Sequence, residues 1–245
     1  METLEEAKLC FPQLNSSCRK TMRPYSESMV TYIILSSISV LTVTLNLLVI
    51  ISISHFKQLH TPTNFILLSL AVSDFFVGLL MAFQVVLIDG CWFLGDLMCV
   101  VYNVLDYIIT SSSVGTMVLI SVDRYVAICH PLHYSTEVTQ KRVQVCICLC
   151  WMCSAIFHSL MLKDNLKQPG RYNSCIGEDE SSQDSWCQDT ILNASTAAFV
   201  ICLFYFNSCL NPVIYAFFYS WFRESVKLIV TLKILQADSC ETNML

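Results

Sequence analysis

Asp106 is the one charged residue within Leu97–Val122, a run apolar enough to cross a bilayer. An ionised side chain at mid-depth costs about 2.5–3.5 kcal/mol on insertion scales, so it needs compensation. No basic residue lies at comparable depth in the chain's other apolar runs. A cation arriving from outside is one candidate partner; a protonated Asp106 hydrogen-bonded to a neighbouring helix is the other. Cys99, Asp106 and Ser113 recur every seven residues, about two helical turns, and so share a face. Asp123-Arg124 ends the same span about 27 Å of helix further on. One helix thus carries a carboxylate in one half and an acid–base pair at its opposite edge.

Asp74 is the second intramembrane acid. The small oxygen-bearing side chains available to it are Asn46, Ser113, Asn207 and Asn211. Such a set can hold a hydrated Na⁺ or form a plain hydrogen-bonded core, and the residues alone favour the plain network. Asn207–Phe222 reads NSCLNPVIYAFFYSWF, an uncharged run with Pro212 in its middle. Proline removes a helical hydrogen bond and kinks the helix. A neighbouring helix or ordered water must then satisfy the freed carbonyl.

These residues sit in a chain of 245 residues that is 55% hydrophobic and 13% charged, with mean hydropathy +0.58. A soluble domain carries about twice that charge fraction. Five segments reach the roughly 20 apolar residues a spanning helix needs: Met29–Ile53, Asn64–Ile88, Leu97–Val122, Val143–Leu162 and Thr190–Tyr219. Continuous runs, rather than alternating stretches of about 10 residues, exclude a transmembrane barrel. The expected fold is an all-α polytopic membrane bundle. It divides into a tail over residues 1–28, four spans over 29–162, a polar loop over 163–189, a fifth span over 190–219, and a cytoplasmic end over 220–245.

Met29–Ile53 is too long for a signal-peptide core and lacks a small-residue cleavage site, so it reads as a retained anchor. With the amino terminus outside, basic residues divide seven against seven across the membrane, and the positive-inside rule does not choose. Asn15-Ser16-Ser17 is a glycosylation sequon that favours an external tail. Asn193-Ala194-Ser195 also matches, but it sits at or inside a span and carries no weight. Cys10, Cys18, Cys91, Cys99, Cys175 and Cys187 fall on the outer side, where disulfides persist. Cys146, Cys148, Cys150, Cys153, Cys202 and Cys209 lie within spans and read as small apolar packing residues. No cysteine pair has zinc-ligand spacing with histidine support, so no metal site is expected.

Asn46, LSLAVSD ending at Asp74, Trp92 before Cys99, Asp123-Arg124-Tyr125, Trp151 and Asn211-Pro212-x-x-Tyr215 occur in that order. Together they resemble the rhodopsin-like G-protein-coupled receptors. Asp106 with Tyr205 is similar to the aminergic branch. The extended run from Asn207 through Tyr215 and Tyr219 to Trp221-Phe222 resembles the fingerprint of trace amine-associated receptors, of a fish-like or divergent type. Leu45 departs from the pattern, which usually has Gly there.

The resemblance implies a receptor of the plasma membrane, with its amino terminus outside, that senses a small primary or alkylated amine. Asp106 would pair with the ammonium, Tyr205 would orient Asp106, and Tyr102 near the mouth would offer cation–π contact. Asp123, Arg124 and Tyr125, with Pro212 and Tyr215, would couple to a heterotrimeric G protein. A disulfide between Cys99 and Cys175 is implied, and one from Cys10 or Cys18 to Cys187. Phe222–Leu235 matches the family's amphipathic eighth helix. Cys240 beyond it is either a palmitoylation site or a cytosolic thiol.

That family has seven spans. The sequence passes from span four through GEDESSQDSWCQD into the likeness of span seven, and helices five and six have no counterpart. Splicing, an internal deletion or a faulty gene model would each account for this. Losing two spans preserves parity, so the product remains insertable. It lacks the helix whose outward movement would admit the G protein, the bistable element that a ligand should bias. The alternative function is therefore a non-signalling product that is retained in the endoplasmic reticulum or modulates a full-length receptor as a dimer partner. Other classes fit less well. No repeat or pair of broken spans suggests a transporter. No nucleophile–base set suggests an enzyme, and a net charge of −5 offers nothing to nucleic acid.

Overall fold

The computed structural model describes residues 25–86, 95–161 and 194–231. Seven α-helices cover nearly all of them, and no strand occurs among the described residues: α1 (Tyr25–His55), α2 (Pro62–Val86), α3 (Gly95–Cys129), α4 (Tyr134–Glu137), α5 (Gln140–Met161), α6 (Ala194–Phe218) and α7 (Ser220–Val230). Four of these, α1, α2, α3 and α5, are long and apolar enough to cross a membrane. Helix α6 has 25 residues and no charge, again beyond the roughly 20 that a span needs.

Local chemistry explains the ends. Pro62 opens α2 at the first helical position, where its missing N–H costs nothing. Thr61 caps the same turn by accepting the Asn64 amide at 3.3 Å. Thr139 caps α5 through the Arg142 amide at 3.5 Å. Tyr219 takes an extended conformation and separates α6 from α7. Arg223 folds back to donate to the Ala216 and Phe217 carbonyls at 3.0 and 3.1 Å, serving the bare end of α6.

Helix α1 packs on α2, α6 and α7, while α3 packs on α2 and α5. Helices α1 and α2 approach closely at Gly78, whose carbonyl accepts from Ser39 Oγ at 2.8 Å. A Cβ on Gly78 would lie 2.9 Å from Val43 Cγ2, the close helix contact that small residues permit in membranes. Two buried apolar clusters form. One joins Val49, Ile53, Phe56 and Leu67 to Tyr215, Trp221 and Phe222. The other joins Leu35, Val77, Leu80, Met81, Ile109 and Tyr205. Buried polar residues, among them Asn46, Asp74, Ser113 and Ser208, occupy the interior, and large apolar side chains such as Ile33, Val118, Leu149 and Phe157 face outward. That inversion suits a lipid solvent.

Three expectations are corrected. Span three does not end at Asp123-Arg124; α3 continues to Cys129, because partners on α2 and α4 satisfy both charges within the helix. Of the α5 cysteines expected as small apolar packing residues, only Cys150 packs against α3. Cys146, Cys148 and Cys153 are exposed and Cys150 is half-buried, since α5 lies at the edge of the bundle and buries only Val143 and Ser154. The amphipathic helix begins at Ser220, two residues before the expected Phe222.

Candidate functional site

Three sites emerge along α3. Toward the carboxyl-terminal end of α3, Asp123 is buried with its side chain 2% exposed, and Arg124 pairs with it. Arg124 Nε donates to Asp123 Oδ2 at 3.0 Å. Thr63 of α2 stands between the charges: its hydroxyl accepts from Arg124 Nη2 at 2.9 Å and donates to Asp123 Oδ2 at 3.1 Å. Tyr134 of α4 donates to Asp123 Oδ1 at 2.7 Å. Burial raises the Tyr134 phenol above its ordinary range, which keeps it a proton donor at neutral pH. The sequence reading missed both Thr63 and Tyr134. Neither stands out by type, because a hydroxyl becomes informative only once its neighbour is known. Tyr125, next in the chain, is exposed.

Midway along the bundle, Asp74 of α2 is fully buried. Ser113 of α3 donates to its Oδ1 at 3.0 Å, and Asn211 of α6 donates to its Oδ2 at 2.7 Å. Ser208 adds a further side-chain contact. Of the residues grouped around Asp74 from sequence, Ser113 and Asn211 therefore meet it directly. Asn46 donates instead to the Thr42 and Ser208 carbonyls at 2.9 and 3.1 Å. Asn207 does not join: it is exposed and donates to Met117 Sδ at 3.7 Å, because its helical position turns it away from α2.

Nearer the other end of α3, Asp106 is half-buried. Tyr205 of α6 is buried and lies close enough to interact with its charge. Tyr102, one turn from Asp106, donates its hydroxyl to the Leu80 carbonyl at 3.4 Å and its ring tilts against Phe83. On the α5 side, Tyr107 stacks on His158 with centroids 5.6 Å apart and planes at 16°. Cys99 lies in the first turns of α3, whereas its expected partner Cys175, together with Cys10, Cys18, Cys187, Asn15 and Cys240, lies outside the described residues.

Residues 45–201 match the family described as "7 transmembrane receptor (rhodopsin family)". Mouse (Mus musculus) trace amine-associated receptor 4 is 29% identical over 333 positions, covering 98% of this chain and 96% of the relative. Rat (Rattus norvegicus) trace amine-associated receptor 8b is 31% identical, with 97% and 96% covered. Danio rerio trace amine-associated receptor 13c is 29% identical over 330 positions, with 98% and 97% covered. This chain belongs to the rhodopsin family of seven-transmembrane receptors, in its trace amine-associated group.

The family is one of receptors, not enzymes. The matches also measure the shortfall of this receptor chain. An alignment of 333 positions against 245 residues leaves at least 88 positions of the relative (333 less 245) with no counterpart here. Both ends of the relatives are covered, so the gap is internal. Residues 162–193 lie between α5 and α6, and they are too few for two spans of about 20 residues each.

Proposed function

We propose that this chain is an amine receptor in which Asp106 pairs with the ligand ammonium. The observation that carries the reading is a half-buried carboxylate beside the buried Tyr205, in a set of spans with no lysine or arginine at comparable depth; the one imidazole there among the described residues, His158, is stacked on Tyr107. A small primary or alkylated amine supplies the missing charge, and Tyr102 and Tyr205 supply aromatic surface to it. The relatives' printed names, trace amine-associated receptors, support the same ligand class. The chain sits in the plasma membrane with its amino terminus outside, as the Asn15 sequon favours. Asp123, Arg124 and Tyr125 face the heterotrimeric G protein, with Pro212 and Tyr215 shaping the neighbouring end of α6.

Asp74, Asn46 and Ser113 are proposed to hold a sodium ion, with Asn211 bracing the carboxylate. The donor set fits: Asn46 Oδ1 is buried and has no hydrogen-bond partner among the described residues, leaving an acceptor for a cation or its water.

The deciding experiment is a thermal-shift titration of the purified chain with primary and N-methylated amines. A ligand at one hundred times its Kd stabilises by about 2.7 kcal/mol. Asp106→Asn should abolish the shift; an unchanged shift removes Asp106 from the binding role.

The internal gap favours a second reading, a product that does not signal and is retained or acts on a full-length receptor. Surface biotinylation separates the two. Abundant mature glycosylated chain at the cell surface rules out retention.

A further inference from the structure

We infer that the open side between α3 and α6 is a docking face for a helix pair supplied by a full-length receptor of the same family. This rests on the second reading above and gives it a partner and a surface. Val114, Val118 and Val122 recur every four residues along α3 and are each more than half exposed. With Met117, Ser121 and Tyr125 they line a shallow apolar groove. Helix α6 flanks this groove: it packs on α1, α2 and α7 and meets α3 through Asn207 and Met117.

Two features select the occupant. Asn207 lies near the middle of α6 and is exposed, and its hydrogen bond among the described residues runs to a thioether, a weak acceptor. Lipid covers the valines but gives that amide no acceptor, whereas a helix carrying a polar side chain satisfies it. The chain's own linking segment is unsuited to the groove, because residues 163–189 carry nine charged side chains that are costly at bilayer depth. The family members aligned here carry at least 88 internal positions (333 less 245) that this chain lacks, enough for two spans. A complete relative therefore has room for two further spans between its counterparts of α5 and α6, and among the described residues of this chain nothing covers the α3 face beside α6.

The test co-expresses the tagged full chain with the stretch of rat trace amine-associated receptor 8b that has no counterpart here, followed by capture from mild detergent. The fragment should co-purify. Val118→Trp and, independently, Val122→Trp fill the groove and should each lower recovery at least tenfold. Asn207→Leu should lower it severalfold. Leu149→Trp, on the exposed outer side of α5, should leave recovery unchanged. All four positions face outward, and matched helicity and melting temperature confirm that each variant folds.

Absence of capture, or equal capture by the groove variants, overturns the inference. So does preferential capture of a second copy of this chain through the same valines, or a groove that retains lipid alone. Surface biotinylation is scored separately, so a retained chain that fails to capture the fragment sinks the docking face and leaves the retention reading standing.

Discussion

Asn46 of α1 donates to the carbonyl of Ser208 at 3.1 Å, and Ser208 stands four residues before Pro212. That carbonyl is the one stripped of its helical donor by the proline. The α1 asparagine therefore repairs a break in α6, and the repair ties the two helices together beside Asp74. This relationship gives Asn46 a structural role independent of any ion.

Asn46→Leu should lower stability by about 1–3 kcal/mol, the cost of leaving a buried acceptor unpaired. Pro212→Ala restores the donor within α6, so in that background Asn46→Leu should cost markedly less. Melting of the four chains in detergent gives the coupling. Additive effects would show that the Asn46–Ser208 bond does not carry the loss.

Gly115 of α3 faces Cys150 of α5 so closely that an added Cβ would clash with the sulfur. Gly115→Ala should destabilise by about 1–3 kcal/mol through overpacking. The double variant with Cys150→Ala should recover most of that loss. Thermal melting with far-ultraviolet dichroism checks both, and a neutral Gly115→Ala would refute the close α3–α5 approach.

At the Asp123 end of α3, Tyr134→Phe removes one hydrogen bond to the buried Asp123 and should cost about 1.5–3 kcal/mol, as for bonds to charged groups. Burial raises the Tyr134 pKa, so the folded state favours the protonated phenol. The contribution is then fully present below the ordinary tyrosine value near 10 and is lost as pH rises from there through the raised value of the folded state. The stability difference between parent and Tyr134→Phe should be flat from pH 6 to 9 and shrink above it. A difference that grows with alkalinity would contradict the arrangement.

If Asp74 anchors the sodium site, replacing choline with sodium should raise the melting temperature of the parent chain and leave that of Asp74→Asn unchanged. Equal shifts in both would remove Asp74 from ion binding.

Much of the bundle was legible without coordinates because a bilayer constrains sequence harshly. The apolar runs marked the helices to within a few residues, and the isolated acids at Asp74 and Asp106 marked the interior. The exceptions are instructive. The end of α3 was placed at Asp123 because charge normally closes a span, yet Thr63 and Tyr134 supply the partners that let the helix continue to Cys129. The α5 cysteines read as packing residues because cysteine is small and apolar, a property that suits a lipid-facing edge equally well.

Sequence by itself determined that the chain is a helical membrane protein, which positions carry intramembrane charge, and that Pro212 leaves a carbonyl in need of a donor. These follow from composition and from backbone chemistry local to each residue. Tertiary structure alone decided that Asn46 is that donor, that Asn211 and not Asn207 meets Asp74, and that Thr63 bridges Arg124 to Asp123. Such pairings depend on how helices far apart in sequence are rotated against one another. That rotation is set by close approaches such as Gly78 against Val43 and Gly115 against Cys150, which no local pattern encodes.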